Sequence, residues 1–158
     1  MMSWQQRAAR LDDAEAMAGI HASVAEPGWC KADFASWLAR PDAFAILVEG
    51  VDGPAAFALA LAAGEDADIL MIATASQKHR RGAGRATLRA LAREAVRRGV
   101  RRLVLEAARN NLPALGLYQG EGFVEIGVRT GYYLQATGLV DAIVLARTVL
   151  PDGGHGRA

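Results

Sequence analysis

The loop over residues 79–85 has the composition of a segment that binds an anionic ligand. It reads HRRGAGR, follows an apolar stretch and precedes a strongly patterned helix. Gly82 and Gly84 allow a ligand to approach the backbone closely, and the free amides at the helix start would point towards it. Arg80 and Arg81 could hold phosphate oxygens, which arginine does well. The segment predicts a phosphate site, although a tight structural turn explains the two glycines about equally well.

Glu106 is a candidate general base near the end of the short apolar strand RRLVLEAA. This strand follows the helix, so it is predicted to lie parallel to the strand before the helix, and binding sites of open sheets gather at such strand ends. Apolar surroundings disfavour a charged carboxylate, which suits a group that accepts a proton near neutral pH. The alternative is a carboxylate paired with a neighbouring arginine.

Asn111 and Tyr118 belong to the next predicted helix. Asn111 caps its start, and Pro113 is tolerated in the first turn. The phenol of Tyr118 is protonated at pH 7 and could give a proton to a leaving group. A tyrosine that only packs between helix and sheet is the alternative interpretation.

The remaining elements must position these groups. Asp12 is predicted to open a first helix with Glu15 as its capping partner, and a second short helix ends before Pro41. The predicted strands are AFAILVEG, AAFALALAA, ADILMIATA, RRLVLEAA, GFVEIGVRTGYY and DAIVLARTVL. A meander, one strand–helix–strand crossover and a returning pair predict an α/β protein with a mixed, mostly antiparallel sheet and one parallel pair at its centre.

Length and composition predict one globular domain over residues 1–150 and a disordered tail over residues 151–158. The chain has 158 residues, of which 52% are hydrophobic and 22% charged. A single cysteine, Cys30, excludes a disulfide framework and a four-ligand zinc site of the usual kind. No run approaches the roughly 18 apolar residues of a membrane helix. We therefore expect a cytoplasmic protein without a membrane partner and without a metal.

Charge is distributed unevenly along the chain. The net charge is +1, yet residues 1–75 carry four basic and eleven acidic side chains, and residues 76–158 carry fourteen and six. A balance near zero argues against direct nucleic-acid binding, which needs a strongly basic domain. The acidic first half favours a basic peptide as partner.

The loop and the residues after it together resemble the GNAT superfamily of acetyl-CoA-dependent N-acetyltransferases, over about the whole chain up to Leu150. The superfamily loop Q/R-x-x-G-x-G/A corresponds to His79, Arg80, Arg81, Gly82, Ala83 and Gly84. Its Leu-Glu strand end corresponds to Leu105 and Glu106. Its pattern N-x-x-A-x-x-L-Y-x-x-x-G-F is matched without gaps by Asn111, Ala114, Leu117, Tyr118, Gly122 and Phe123.

The resemblance implies a GNAT-like fold whose parallel strands splay apart at the cofactor site, with helices on both faces. It implies an acetyl-CoA site formed by Ile72, Ala73, Thr74, His79, Arg80, Arg81, Gly82, Ala83, Gly84, Arg85 and Asn111. A backbone amide near Ile72 would stabilise the oxyanion. Glu106 would act as base and Tyr118 as acid in a direct transfer that needs neither Cys30 nor a metal.

Within the superfamily, the chain is most similar to the RimI type, which acetylates the N-terminal alanine of a ribosomal protein. The similar positions are Pro27-Gly28-Trp29, Ile72-Ala73, Glu106, Tyr132-Tyr133 and Asp141-Ala142. The departures are Met71, Thr74-Ala75-Ser76, His79, Ala108 and Asn110, and those at Met71 and Ala108 flank the expected reaction centre. An α-amine has a pKa near 8 and lysine one near 10.4, so a single carboxylate suffices for the former. A small-molecule amine, a lysine or non-catalytic binding of acetyl-CoA remain the alternatives.

Overall fold

The computed structural model describes residues 3–25, 27–75 and 82–151. A one-turn 3-10 helix, Leu11–Asp13, precedes α1. In chain order the described elements are β1 (Gln5–Ala8), α1 (Ala14–Ala22), α2 (Lys31–Leu38), β2 (Ala43–Gly50), β3 (Gly53–Ala63), β4 (Asp66–Thr74), α3 (Ala83–Arg97), β5 (Arg102–Ala108), α4 (Leu112–Gly120), β6 (Val124–Gln135) and β7 (Gly138–Thr148).

The strands of the described residues form one sheet in the order β1-β2-β3-β4-β5-β7-β6. Neighbouring strands are antiparallel except β4 and β5, which are parallel. A parallel connection needs a crossover, and α3 supplies it. The predicted mixed sheet with one central parallel pair is confirmed.

Helices cover both faces of the sheet, as predicted. Successive strand residues point to opposite faces, and on β2 this separates two clusters. Ile46 and Val48 pack with buried residues of α3 and α4, whereas Ala45 and Leu47 pack with α1 and α2. The first set, the α3–α4 cluster, also contains residues of β5 and β7. The second set, the α1–α2 cluster, has its sheet residues on β2, β3 and β4.

Two features at the N-terminus differ from the sequence prediction. The short edge strand β1 was not predicted, and its four residues pair with β2. The helical segment does not open on a cap by Asp12. Instead the carboxylate of Asp13 accepts a hydrogen bond from the backbone N–H of Arg10 (2.7 Å) and is held by the guanidinium of Arg7 (2.8 Å). Because Arg7 lies on the unpredicted strand, this arrangement could not be predicted from the sequence.

The final hairpin is longer than predicted. β6 continues to Gln135 and β7 begins at Gly138, so the turn between them is tight. Gly138 has a φ of +119°, which favours glycine. The predicted disordered tail covers residues 151–158, of which Pro151 is exposed and residues 152–158 lie outside the described residues. None of the described helices is long and apolar enough to cross a membrane.

Candidate active site

A wedge-shaped opening separates the C-terminal halves of β4 and β5. The two strands pair only where Asp66–Asp68 meets Arg102–Val104. β5 then stays paired with β7 over its whole length, whereas β4 stays paired with β3. The register of β4 against β3 shifts so that Leu70 is an extra residue, and such a bulge bends and twists a strand. The bend begins just after the last residue that pairs with β5, so the predicted splay has a local cause.

The predicted cofactor residues of β4 line this opening on one side. Ile72 packs against the α3–α4 cluster, and Ala73 is buried in the α1–α2 cluster. Beyond Asp68, β4 pairs with β3 along one edge but no longer pairs with β5 along the other. That second edge therefore presents backbone groups to the opening. A backbone amide at Ile72 or Ala73 can therefore meet a negatively charged oxygen there.

The start of α3 lies at the end of the same strand. Gly82 is its N-cap with a φ of +87°, and no side chain of the described residues caps it. The first intrahelical bond runs from the backbone N–H of Ala86 to the carbonyl of Gly82 (3.0 Å). The preceding amides of the first turn have no helical acceptor, which makes this end suitable for an anion. His79, Arg80 and Arg81 lie outside the described residues.

Gly84 brings three elements together. A Cβ on this residue would lie 3.1 Å from Cδ2 of Leu117 on α4 and 3.6 Å from Oγ1 of Thr74 on β4. The absence of a side chain therefore lets α3 approach α4 closely. This packing role stands beside the ligand role that the sequence suggested, and a substitution here tests both.

The arginine face of α3 is anchored by one carboxylate. The side chain of Glu121 is 6% exposed and pairs with Arg85 (3.2 Å) and Arg89 (2.8 Å). The guanidinium of Arg85 is thus engaged with Glu121, while its backbone N–H belongs to the open first turn. Further along the helix, Arg97 pairs with Glu94.

Glu106 lies on the opposite face of the sheet from α4. Leu105 and Ala107 point into the α3–α4 cluster, so Glu106 between them points the other way. Its side chain is 23% exposed and its Oε1 lies 2.8 Å from Nε of Arg129 on β6. The carboxylate is therefore paired with an arginine, as the alternative interpretation of the sequence has it, and is not surrounded by apolar groups alone. Glu106 lies on the part of β5 beyond its pairing with β4.

Tyr118 approaches the opening from the α4 side. It is 7% exposed and belongs to the cluster that contains Leu105 and Ala107 of β5. Burial, together with nearby Tyr133, raises the pKa of its phenol to about 12. The phenol consequently stays protonated at neutral pH, as a proton donor must.

The sequence interpretation missed Arg129 and gave Tyr133 no role. Burial, followed by the negative charge of Glu106, raises the pKa of Tyr133, which is also close enough to influence Tyr118. Tyr133 is thus close enough to both candidate catalytic groups to interact with them electrostatically. The Tyr132-Tyr133 pair was the available signal for Tyr133, whereas Arg129 is one of many arginines and had none.

The other candidate residues have simpler surroundings. Asn111 caps α4, since its side chain accepts a hydrogen bond from the backbone N–H of Ala114 (3.3 Å). Cys30 is exposed at the start of α2, with its sulfur 3.3 Å from a carboxylate oxygen of Asp33. Among the residues that the structure describes, no three His, Cys, Asp or Glu side chains cluster as a metal site would require.

A cavity of about 680 Å³ lies elsewhere, between α3, the end of α4 and the end of β7. Its lining includes Arg93, Glu121 and Arg147 but none of the predicted site residues that the structure describes. The candidate site is therefore the open wedge between β4 and β5 and not this cavity.

Known proteins match both the sequence and the architecture. The model of the acetyltransferase (GNAT) family matches residues 10–123. The [ribosomal protein bS18]-alanine N-acetyltransferase of Escherichia coli K12 is 39% identical over 92 residues, or 58% of this chain and 62% of that protein. The protein of the same description from Salmonella typhimurium is 40% identical over 95 residues, or 60% and 64%. The match spans less than two thirds of these curated relatives.

Solved structures extend the likeness over the whole fold. The crystal structure of the ribosomal-protein-S18-alanine N-acetyltransferase from Escherichia coli superposes with a TM-score of 0.85 at 29% identity, covering 97% of this chain and 98% of that one. NAA60 of Arabidopsis thaliana in complex with acetyl-CoA gives 0.79 at 16% identity, covering 93% and 99%, which shows the fold alone. Because the family model covers well over half of the residues, this chain belongs to the acetyltransferase (GNAT) family.

Proposed function

We propose that this protein transfers the acetyl group of acetyl-CoA directly to the N-terminal α-amine of a protein, with a ribosomal protein as the acceptor. The observation that supports the proposal is that the half of β5 that does not pair with β4 carries Glu106 on one face, while its neighbours Leu105 and Ala107 share a buried cluster with Tyr118 on the other. The likeness to the ribosomal-protein acetyltransferases of Escherichia coli and Salmonella supports the acceptor class.

Acetyl-CoA is proposed to bind from the α3–α4 side. The open amides of Ala83, Gly84 and Arg85 suit its pyrophosphate. The edge of β4 that does not pair with β3, at Ile72 and Ala73, suits the polar groups of the pantetheine arm, which would lie in the wedge, and Thr74 follows them on the same strand. Asn111, at the start of α4, borders the same end of β5. His79, Arg80 and Arg81 complete the proposed site by their position in the chain.

The reaction needs one proton removed and one supplied. The amine nitrogen attacks the thioester carbonyl carbon, and a backbone amide near Ile72 stabilises the oxyanion. Glu106 accepts the proton that the nitrogen loses, directly or through a water. The carbon–sulfur bond then breaks, and Tyr118 protonates the departing thiolate. Exchange with solvent returns a proton to Tyr118 and removes one from Glu106, so the net products are the acetamide and the free thiol.

The proposed geometry separates the two substrates. Because Glu106 and Tyr118 lie on opposite faces of the sheet, the amine would enter from the face of Glu106 and the thioester from the face of Tyr118. Cys30 takes no part, since it lies at the start of α2. Cys30→Ala is therefore expected to keep its activity, and no acetyl group should be trapped on the protein.

The test is an acetyl-CoA turnover assay that follows thiol release. Acceptors are peptides that begin with alanine, the same peptides with blocked N-termini, a blocked lysine, spermidine and an aminoglycoside. Acetylation of the free α-amine, located by mass spectrometry, is the expected result. Faster turnover of a polyamine, an aminoglycoside or lysine would replace the proposed acceptor. Binding of coenzyme A without turnover of any amine would identify a binding module instead.

A further inference from the structure

The carboxylate proposed as the base is already paired with a cation of the protein itself. Nε of Arg129 lies 2.8 Å from Oε1 of Glu106. The side chain of Arg129 is 57% exposed, whereas that of Glu106 is 23% exposed. On its other side, the guanidinium carbon of Arg129 lies 5.3 Å from the ring centroid of Tyr132. The guanidinium is therefore the more exposed member of the pair, and an amine that approaches Glu106 comes close to it.

The backbone places Arg129 there by register. Ala108, Ala142 and Arg129 are direct partners across β5, β7 and β6, so their side chains share the face to which Glu106 points. Beyond Arg129 the register of β6 shifts before Tyr133, and the carboxylate of Asp141 accepts a hydrogen bond from the backbone N–H of Gly131 (2.9 Å) within this irregular stretch. Arg129 and Tyr133 thereby both reach the side of Glu106.

This arrangement matters because amine substrates approach as cations. An α-amine has a pKa near 8, whereas lysine has one near 10.4 and remains charged at neutral pH. A carboxylate without a partner would attract every ammonium ion. With Arg129 beside it, the pair has no net charge, and a second cation meets a guanidinium at close range. An amine that gives up its proton easily avoids this repulsion.

We infer that Arg129 is a specificity-determining residue that disfavours strongly basic or multiply charged amines and so favours the α-amine of a polypeptide. The inference rests on the proposed function, since it assigns Glu106 as the base that receives the amine. Arg129 is not assigned a proton transfer. Its charge influences which amine reaches Glu106 as a neutral nucleophile.

The experiment compares acceptors within each variant. The wild type, Arg129→Gln and Arg129→Lys are assayed with an alanine-terminated peptide, a blocked lysine and spermidine at pH 7.5. Removal of the charge in Arg129→Gln should raise kcat/KM for lysine and spermidine relative to the peptide by about 10- to 100-fold, the effect of a like charge at several ångströms near a protein surface. Arg129→Lys keeps the charge and should keep the wild-type ratio within about threefold.

Two further measurements separate charge from shape. The change in the acceptor ratio should come mainly from KM for the cationic acceptors. It should shrink as salt rises from about 0.05 to about 0.5 M, because Arg129 is exposed. Arg102→Gln is the matched control. It removes an arginine that pairs with Asp66 (2.8 Å) at the far end of β5, and it should leave the ratio unchanged. A change in Glu106 as a base would appear mainly in kcat, so the KM and salt measurements distinguish it from repulsion of the cationic acceptor.

The outcomes separate the two proposals. A wild type that prefers the peptide, with an acceptor ratio that Arg129→Gln leaves unaltered, overturns the inference alone. Equal loss of activity on all acceptors in Arg129→Gln also overturns it, because Arg129 would then only hold Glu106 in place. A wild type that prefers spermidine or lysine contradicts the proposed function and, with it, the role given to Arg129.

Discussion

The two sides of the wedge between β4 and β5 are built in different ways. On the cofactor side, the proposed ligand contacts come from backbone amides of one continuous segment, at the end of β4 and the start of α3. On the proposed acceptor side, Glu106 of β5 pairs with Arg129 of β6 and influences Tyr133 of the same strand, although β7 separates β5 from β6 in the sheet. The first side depends on local backbone conformation, and the second depends on strand register.

This difference has a chemical consequence. A pyrophosphate presents the same charge in every reaction of the family, and a helix start with glycines can bind it without a specific side chain. Acceptor amines differ in charge and shape, so selection among them requires side chains. Variants on the acceptor side should therefore change rate and specificity, whereas variants on the cofactor side should change affinity for coenzyme A.

The largest effect is expected from Glu106→Gln, which keeps the shape and removes the proton acceptor. A general base contributes about 10²- to 10⁴-fold to the rate. The value of kcat/KM should therefore fall by that factor, which corresponds to a barrier about 3–5 kcal/mol higher. The deficit should shrink as pH rises from 7 to 9, because more of the α-amine arrives neutral. Affinity for coenzyme A should change little, as titration calorimetry can show.

Glu125→Gln is the matched control for this change. It makes the same substitution at an exposed position of β6 and should keep wild-type rates. If Glu106→Gln also kept near-wild-type rates on the best acceptor, the catalytic assignment would be withdrawn. A loss of coenzyme A affinity without a loss of rate would place Glu106 on the cofactor side and remove the distinction drawn above.

The next effect is expected from Tyr118→Phe, which keeps the ring and removes the proton donor. The loss should again lie within about 10²- to 10⁴-fold, but higher pH should not rescue it, since a thiolate is not easier to protonate in base. In the wild type, a phenol pKa raised to about 12 means that the acid is present up to about pH 11. Near-wild-type rates in Tyr118→Phe on the best acceptor would contradict this assignment.

The same contrast explains what could be predicted from the sequence. The helix start at Gly82 and the cap at Asn111 follow from short contiguous patterns, the splay was implied by the family resemblance, and the structure bears out the fold. Glu106 and Tyr118 were singled out because each lies in a contiguous motif. The pair between Glu106 and Arg129 was not, because its partners are 23 positions apart and meet only through the register of β5, β7 and β6.

Long-range pairing also explains the errors in the fold. The short strand β1 is mostly exposed and polar, so it lacks the alternating hydrophobic pattern that would have predicted a strand. The carboxylate of Asp13 owes its position to Arg7 on that strand, and the sequence therefore suggested Asp12 as the cap. Each error involves contacts that exist only once the sheet has formed.

Gly82→Ala tests the cofactor side with a smaller expected effect. A Cβ at a φ of +87° costs about 1–2 kcal/mol of stability, whatever the ligand does. Gly99→Ala is the matched control, because Gly99 follows the other end of α3 with a φ of +81° and has open space around it. Both variants should lose similar stability, whereas only Gly82→Ala should weaken coenzyme A binding, by at least about tenfold. Equal affinities in the two variants would remove the pyrophosphate from this helix start.

The smallest effect concerns His21, and it limits the pH range in which the acceptor side can be compared. The Nδ1 atom of His21 accepts a hydrogen bond from the backbone N–H of Trp29 (2.9 Å), and burial lowers the pKa of its imidazole. As pH falls below about 6.5, the unfolded chain takes up a proton first, so folded-state stability decreases. Loss of the bond, about 1 kcal/mol, should lower Tm by roughly 2–4 °C.

His21→Gln should remove most of this decrease between pH 7.5 and 5.5, as thermal denaturation at the two values can measure. The carboxylate of Asp13 does not interfere, because its hydrogen bonds from Arg7 lower its pKa and it loses its charge only in more acidic solution. A rate that falls below pH 6.5 in the wild type but not in His21→Gln would therefore report folding and not Glu106. An unchanged pH dependence of Tm in His21→Gln would assign the acid sensitivity to another group.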